Sequence, residues 1–271
     1  MNLLQRLGLS SRVEAYRQEA ASDGIGATEL VALREGDARE IEALYRMGAL
    51  AQLRERKGRS RDLAQLIGTS VGEGLYLCDA LQHALDNAGD VCEFGVAQGA
   101  TSRLLAGELS ADTRGHDRNL WLFDSFEGLP QPSAKDKLID DIFKLGTMDA
   151  YAGTMRCART LVETKLRDAG FPEHRVHIKQ GWVEETIRTA PLPSKVAFAY
   201  VDFDFYQPIL DALHWLDTVT EPGARIVVDD YGFFSDGAQA ATDEFVAECG
   251  GRWQLSFPLP SAGKFALLQR V

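Results

Sequence analysis

Short apolar runs alternate with amphipathic stretches through most of this chain. Runs rich in β-branched and apolar residues at 91–95, 119–123, 175–179, 196–202 and 225–229 are each bounded by turn residues. That pattern predicts strands buried on both faces of a parallel sheet. The segments between them carry helical spacing, as in Leu75–Asn87 and Ser102–Leu109. Pro208–Leu216 puts proline in a first helical turn, with apolar residues at 209, 213 and 216. Asp236 with Gln239 fits a capping pattern, and Ala238, Thr242, Phe245 and Cys249 follow along one helical face. Runs at 252–257 and 264–269 flank Pro258–Gly263 and predict an antiparallel edge hairpin. The expected fold is α/β, a doubly wound, seven-stranded, mostly parallel sheet with an N-terminal helical extension.

The division expected is a helical extension or cap over residues 1–74 and a sheet domain over 75–271. Within Thr28–Ala51, the positions Ile41, Leu44 and Tyr45 form one face that must pack on the catalytic domain, a lid or a second subunit. A homodimer is therefore expected. Gly68–Gly74 reads as a turn-rich hinge, in which Thr69 and Ser70 either cap the next helix or meet a cofactor carboxylate. The connection 124–174 exceeds a plain crossover. Its polar front half, 130–141, has the composition of a mobile lid, and Met155–Ala169 that of the crossover helix.

Bulk properties narrow the function. At 271 residues, one large core is the natural size match. A formal charge of −11 disfavours nucleic acid, whose binding leans on Lys and Arg clusters. The basic stretch Arg54–Asp62 reads as a solvated helix end. Four cysteines lie far apart without metal-ligand spacing, and Met1–Leu9 lacks a signal-peptide pattern. No apolar run approaches the ~20 residues of a membrane span. A soluble, reduced, cytoplasmic protein is expected. His174, His177 and His214 have no partner acid at a telling spacing and read as structural.

The chemistry gathers at strand ends. Val201–Tyr206 and Val227–Gly232 each finish a buried run in paired acids, Asp202 and Asp204, then Asp229 and Asp230. Groups just past the carboxyl ends of parallel strands face the ligand crevice, so the four should meet. Carboxylates that close repel unless a cation or shared proton relieves them, and an all-oxygen set suits Mg²⁺. A third strand end, Glu93-Phe94-Gly95-Val96-Ala97-Gln98-Gly99-Ala100-Thr101, turns into a helix. Ala97 occupies the second glycine position of a dinucleotide fingerprint. What remains, acid-x-Gly-x-x-x-Gly, has the shape of the first methyltransferase motif, whose turn wraps the amino-acid end of S-adenosylmethionine. Asp124-Ser125 at the next strand end suits the cofactor's ribose hydroxyls.

The segments 93–101, 122–130 (LFDSFEGLP), 180–186 (QGWVEET), 202–208 (DFDFYQP) and 227–232 (VVDDYG) together resemble the macrocin O-methyltransferase family over roughly residues 90–250. The resemblance implies a class I methyltransferase fold using S-adenosylmethionine and Mg²⁺. It implies methylation of a hydroxyl on a small acceptor, a sugar or phenol-like natural product. Carried over by motif, Asp202, Asp229 and Asp230 are the metal ligands, with Asp202 and Asp204 catalytic and Asp204 the general base. Glu93, Gly95, Gly99, Thr101, Asp124, Ser125 and Asp202 belong to the cofactor site, with Gly181 and Trp182 near the adenine. Ala97–Ala100 departs from the family's usual aromatic or basic residue and adjacent glycine. A nicotinamide-dependent oxidoreductase is the rival enzyme reading, opposed by the glycine pattern and the lack of a Tyr-x-x-x-Lys pair. A non-catalytic cofactor-binding protein on the same fold is the other rival.

Overall fold

The computed structural model describes residues 27–271. The helical reading of residues 1–26, and that of Met1–Leu9 as no signal peptide, lie outside them. Among the described residues three helices come first, α1 (Ala27–Met47), α2 (Arg59–Leu63) and α3 (Val71–Ala84). The chain then alternates through β1 (Asp90–Phe94), α4 (Ala100–Ala111), β2 (Leu120–Asp124), α5 (Arg159–Asp168), β3 (Val176–Gln180) and α6 (Val183–Thr186). It continues through β4 (Val196–Val201), α7 (Tyr206–Val219), β5 (Thr220–Val228), α8 (Gly237–Glu248), β6 (Trp253–Ser256) and β7 (Ala266–Arg270).

The seven strands form one sheet in the order β3-β2-β1-β4-β5-β7-β6. β1 to β5 are mutually parallel, and β7 runs antiparallel between β5 and β6. Every residue of the central strand β4 is buried, which explains its unbroken apolar run. One face of the sheet packs on α3 and α4, with Leu75, Leu81, Leu104 and Leu105 against Phe198 and Tyr200. The other packs on α7 and α8, with Ile209, Leu213 and Phe245 against Val201 and Val228. The strand order reverses between β1 and β4, and there the carboxyl ends splay to leave a crevice. Among the described residues, no helix is long and apolar enough to cross a membrane.

Several boundaries differ from expectation for identifiable reasons. α3 begins at Val71 inside the expected hinge, with Ser70 Oγ capping it by accepting from Glu73 N at 3.0 Å. Gly72 is needed there because a Cβ would press on Ala262 at 2.7 Å. β5 starts at Thr220, earlier than residue 225, and the register shift between Val196 and Phe198 absorbs its Pro222-Gly223 pair. Asp236 does not cap α8. It is itself in helical geometry, and its carboxylate accepts from Lys137 N at 2.6 Å, while Ser235 Oγ takes Gly237 N at 2.9 Å.

The basic stretch is only in part a solvated helix end: Arg54, Lys57 and Arg61 are exposed, Arg56 and Arg59 are not. Arg59 is fully buried, donating to Glu108 at 2.7 and 2.8 Å and to Glu42 of α1 at 2.7 Å. Arg56 bridges Glu108 and Asp62, and Arg103 completes the group on Asp62. This ion network ties α1 and α2 to α4. With Ala38 and Tyr45 in the main core, the described part of the extension packs on its own chain.

The segment after β2 is anchored at several points, though residues 139–147 are exposed. Asp136 accepts from Tyr206 N at 2.7 Å, Ile139 N donates to Phe234 O at 2.8 Å, and Leu138 bridges Ser235. Leu129, Met148, Tyr151, Phe205 and Phe234 form a small core beneath it. The crossover helix starts at Arg159, because Met155 takes a left-handed turn at φ 61°.

Candidate active site

A cleft of about 620 Å³ opens where β1, β2, β4 and β5 end. That size is usual for a small-molecule site, ~300–1,000 Å³. Gly95, Asp124, Ser125, Gly181, Trp182 and Asp202 all line it, as do Asp204, Asp229 and Asp230. Most of the residues expected to form one site are therefore brought together.

Glu93, Gly99 and Thr101 stand behind it. Glu93 is fully buried, and its two carboxylate oxygens accept from the hydroxyls of Thr101 and Ser102 at the start of α4. Burial pushes its carboxyl up to about 7, against the downward pull of those two bonds. It fastens strand to helix and does not reach the cleft. Gly99 takes φ 72° at the head of α4, where a Cβ would come within 3.1 Å of Val162 of α5. Gly95, at φ 84°, lies so close to the end of β4 that a Cβ would collide with the Asp202 carbonyl oxygen.

Asp124 organises the turn between Gly95 and Gly99. One carboxylate oxygen accepts from Val96 N at 2.7 Å and Ala97 N at 3.0 Å, and the other from Phe126 N at 2.6 Å. Ala97 sits at φ 44° where a dinucleotide fingerprint places glycine. The turn is thus preset by a side chain that also faces the cleft.

On the cleft floor, single carboxylate oxygens of Asp202, Asp204 and Asp230 lie within 4.8 Å of one another. The expected ligand set was Asp202, Asp229 and Asp230. Asp229 also lines the cleft, and it accepts the Tyr200 hydroxyl at 2.7 Å and its neighbour's N–H, from Asp230, at 2.7 Å. Asp204 and Asp230 hold left-handed backbones, at φ 61° and 57°. Such conformations cost ~1–3 kcal/mol each and collect at functional sites. Burial, then the neighbouring charges, raises the Asp202, Asp204 and Asp230 carboxyls well above the usual range. An unrelieved group of hard oxygen donors fits a divalent cation.

Two residues of this layer escaped the sequence reading. Tyr200 lies two positions before Asp202 on the same strand face, yet reads as one more apolar residue of a buried run. Glu73 is buried with Oε1 at 3.3 Å from the Tyr200 hydroxyl. The Ser70-x-x-Glu73 spacing was a signal for it, but the side chain turns inward and does not close a capping box. His177 stacks on Trp121 at 4.1 Å and His214 pairs with Glu248, consistent with structural roles.

The sheet order, the preset turn and the aspartate floor together define a doubly wound α/β protein with a small-molecule cleft at its switch point. The solved O-methyltransferase NovP shares this fold with a TM-score of 0.62 at 21% identity, over 86% of this chain and 99% of that one. The calicheamicin methyltransferase CalS11 does so at 0.61 and 20%, over 96% and 92%. The macrocin-O-methyltransferase (TylF) family matches residues 32–252, and the chain belongs to that family. It is an O-methyltransferase. Among its relatives, an 8-demethyl-8-(2,3-dimethoxy-α-L-rhamnosyl)-tetracenomycin-C 4'-O-methyltransferase of Streptomyces olivaceus is 28% identical over 207 residues, 73% of this chain and 74% of that protein. The mycinamicin III 3''-O-methyltransferase of Micromonospora griseorubida is 28% identical over 202 residues, 72% and 76% of the two chains.

Proposed function

We propose that this protein is a Mg²⁺-dependent O-methyltransferase that moves a methyl group from S-adenosylmethionine to a hydroxyl of a sugar or other small natural-product acceptor. The observation that carries the reading is the convergence of Asp202, Asp204 and Asp230 on the floor of the cleft that Gly95, Asp124 and Trp182 line. S-adenosylmethionine supplies the methyl on a sulfonium: the carbon–sulfur bond breaks with its electrons left on sulfur, the oxygen–carbon bond forms, and the hydroxyl proton leaves. A divalent cation supplies Lewis acidity that makes such a hydroxyl a better nucleophile at neutral pH.

The chain's own residues do the rest. Asp124 offers acceptors to ribose hydroxyls, and the preset turn leaves the donor little to reorganise. Asp202 and Asp230 would hold the cation with Asp229 as the third donor, and Asp204 would take the proton. The meeting of Asp204 with Asp202 and Asp230 favours a second reading, in which Asp204 is the third donor and Asp229 braces the floor through Tyr200. Isothermal titration separates the two. Under the first, Asp229→Asn loses Mg²⁺ affinity and Asp204→Asn keeps it. Under the second, the outcomes exchange. Titration with S-adenosylmethionine and with NAD⁺ tests the donor, and binding of NAD⁺ alone would overturn it.

A further inference from the structure

Strand β4 runs out through Tyr200-Val201-Asp202, and β5 through Val227-Val228-Asp229. Alternation along a strand puts Tyr200 and Asp202 on one face of the sheet. The register pairs Tyr200 with Val227 and Val201 with Val228, so Asp229 stands diagonally across from Tyr200. Diagonal neighbours of this kind are within reach of a long aromatic side chain. The Tyr200 hydroxyl accordingly meets three carboxylates: Asp229 at 2.7 Å, Asp202 at 3.3 Å, and Glu73 of α3 at 3.3 Å.

A phenol has one proton to give, and the shortest contact takes it. Asp229 Oδ2 is that acceptor, while Asp229 Oδ1 accepts from Asp230 N at 2.7 Å. The carboxylate is thus held at both ends. Two oxygens carry about four lone-pair sites, so capacity for a ligand in the cleft remains. The support beneath is rigid. Tyr200 is fully buried in the main core with Leu75, Phe198 and Phe265, where close packing leaves its ring no room to swing. Main-chain bonds fix the acids as well, from Asp202 N to Phe94 O at 2.7 Å and from Asp229 N to Val201 O at 2.9 Å. Packing alone does not call for the hydroxyl, since a phenyl ring fills nearly the same space. A neutral donor orients a carboxylate without cancelling its charge, as a lysine or arginine in its place would.

We infer that Tyr200 is a positioning residue of the cation floor, its hydroxyl fixing the Asp229 carboxylate beside Asp202 so that a divalent cation meets donors already in place. The inference rests on the function proposed above, with Asp229 as the third donor. Groups that orient metal-binding side chains typically contribute 10–100-fold in affinity. Tyr200 does so from the core side, without itself lining the cleft.

The test needs no acceptor. Mg²⁺ is titrated calorimetrically, and Mn²⁺ by electron paramagnetic resonance, into the full-length protein and its variants. Tyr200→Phe should weaken both cations about 10–100-fold. It should also broaden the spectrum of bound Mn²⁺, because a carboxylate released at one end samples several geometries. Tyr151→Phe is the control. Tyr151 is equally buried and donates to an aspartate, Asp141, at 2.6 Å, but neither residue lines the cleft, so both readouts should stay unchanged. Added to Asp229→Asn, Tyr200→Phe should cost less than about twofold more, because its effect runs through Asp229. Unchanged cation affinity in Tyr200→Phe, an equal loss in Tyr151→Phe, a full second loss on top of Asp229→Asn, or retained affinity in Asp229→Asn would each overturn the inference. Failure of the wild type to bind either cation would instead remove the function on which it rests.

Discussion

Two groups of buried charge, one between the N-terminal helices and α4 and the other at the carboxyl ends of β4 and β5, are built on opposite plans. In the first, Arg56, Arg59 and Arg103 meet Glu42, Asp62 and Glu108, so nearly every charge has a partner at 2.6–2.9 Å. At the carboxyl ends, Asp202, Asp204, Asp229 and Asp230 crowd together with Glu73 behind them and no basic side chain among the bonds they make. The paired group serves cohesion, with Arg59 joining α1 and α2 to α4. The unpaired group is a liability to the fold that a bound cation or a shared proton relieves. Buried acids by themselves are therefore uninformative; the presence or absence of compensating charge separates structure from site.

The sharpest way to break the comparison is to remove one charge from each group. Asp204→Asn should lower turnover by about 10²–10⁴-fold, the contribution of a general base. Its melting temperature should stay level or rise, because a repelling charge is lost. A lowered melting temperature with full activity would reverse the roles assigned to the two groups. Arg59→Met should act the opposite way. Breaking a buried ion pair costs about 3–5 kcal/mol, read as a lower urea midpoint, while the activity of the protein that remains folded persists.

Glu93 gives a third contrast, an acid that is buried without a cation yet plays no part in the cleft. Its folded value of about 7 lies above the ordinary 4.5, so between those pH values the folded chain keeps a proton that the unfolded chain releases. Stability from this group is present below about pH 4.5 and is lost as the pH rises through 7. Relative to wild type, Glu93→Gln should gain about 3 kcal/mol between pH 4.5 and 8, measured by urea titration at each pH. A constant difference would mean that Glu93 does not titrate in that window. The smallest effect is expected at Asp124. Replacing it with Ala should weaken S-adenosylmethionine by more than about tenfold, the ~1.5–3 kcal/mol of hydrogen bonds to a charged acceptor. Unchanged affinity would remove the ribose assignment.

The sheet was legible because buried strands and amphipathic helices leave periodic traces in composition. So were the aspartates, Gly95 and Asp124, which stand at strand ends where topology alone aims them at the crevice. What could not be read depended on side-chain direction or distant partners. Nothing in Arg54–Asp62 announces Glu108, which lies 49 residues beyond Arg59. Asp236 was taken for a cap because Lys137, its true partner, is 99 residues away. Glu93 matched a motif by residue type, but only the positions of Thr101 and Ser102 reveal that its carboxylate points away from the cleft.

The contact between Gly95 and the Asp202 carbonyl has one more implication. The turn that opens α4 and the loop that carries the aspartates touch backbone to backbone, with no side chain between them to take up movement. A displacement of either main chain is handed directly to the other. Under the proposed function, donor and cation would then be in thermodynamic linkage: any factor by which one altered the affinity of the other would be returned in full, and the two halves of the cleft would fill as a pair.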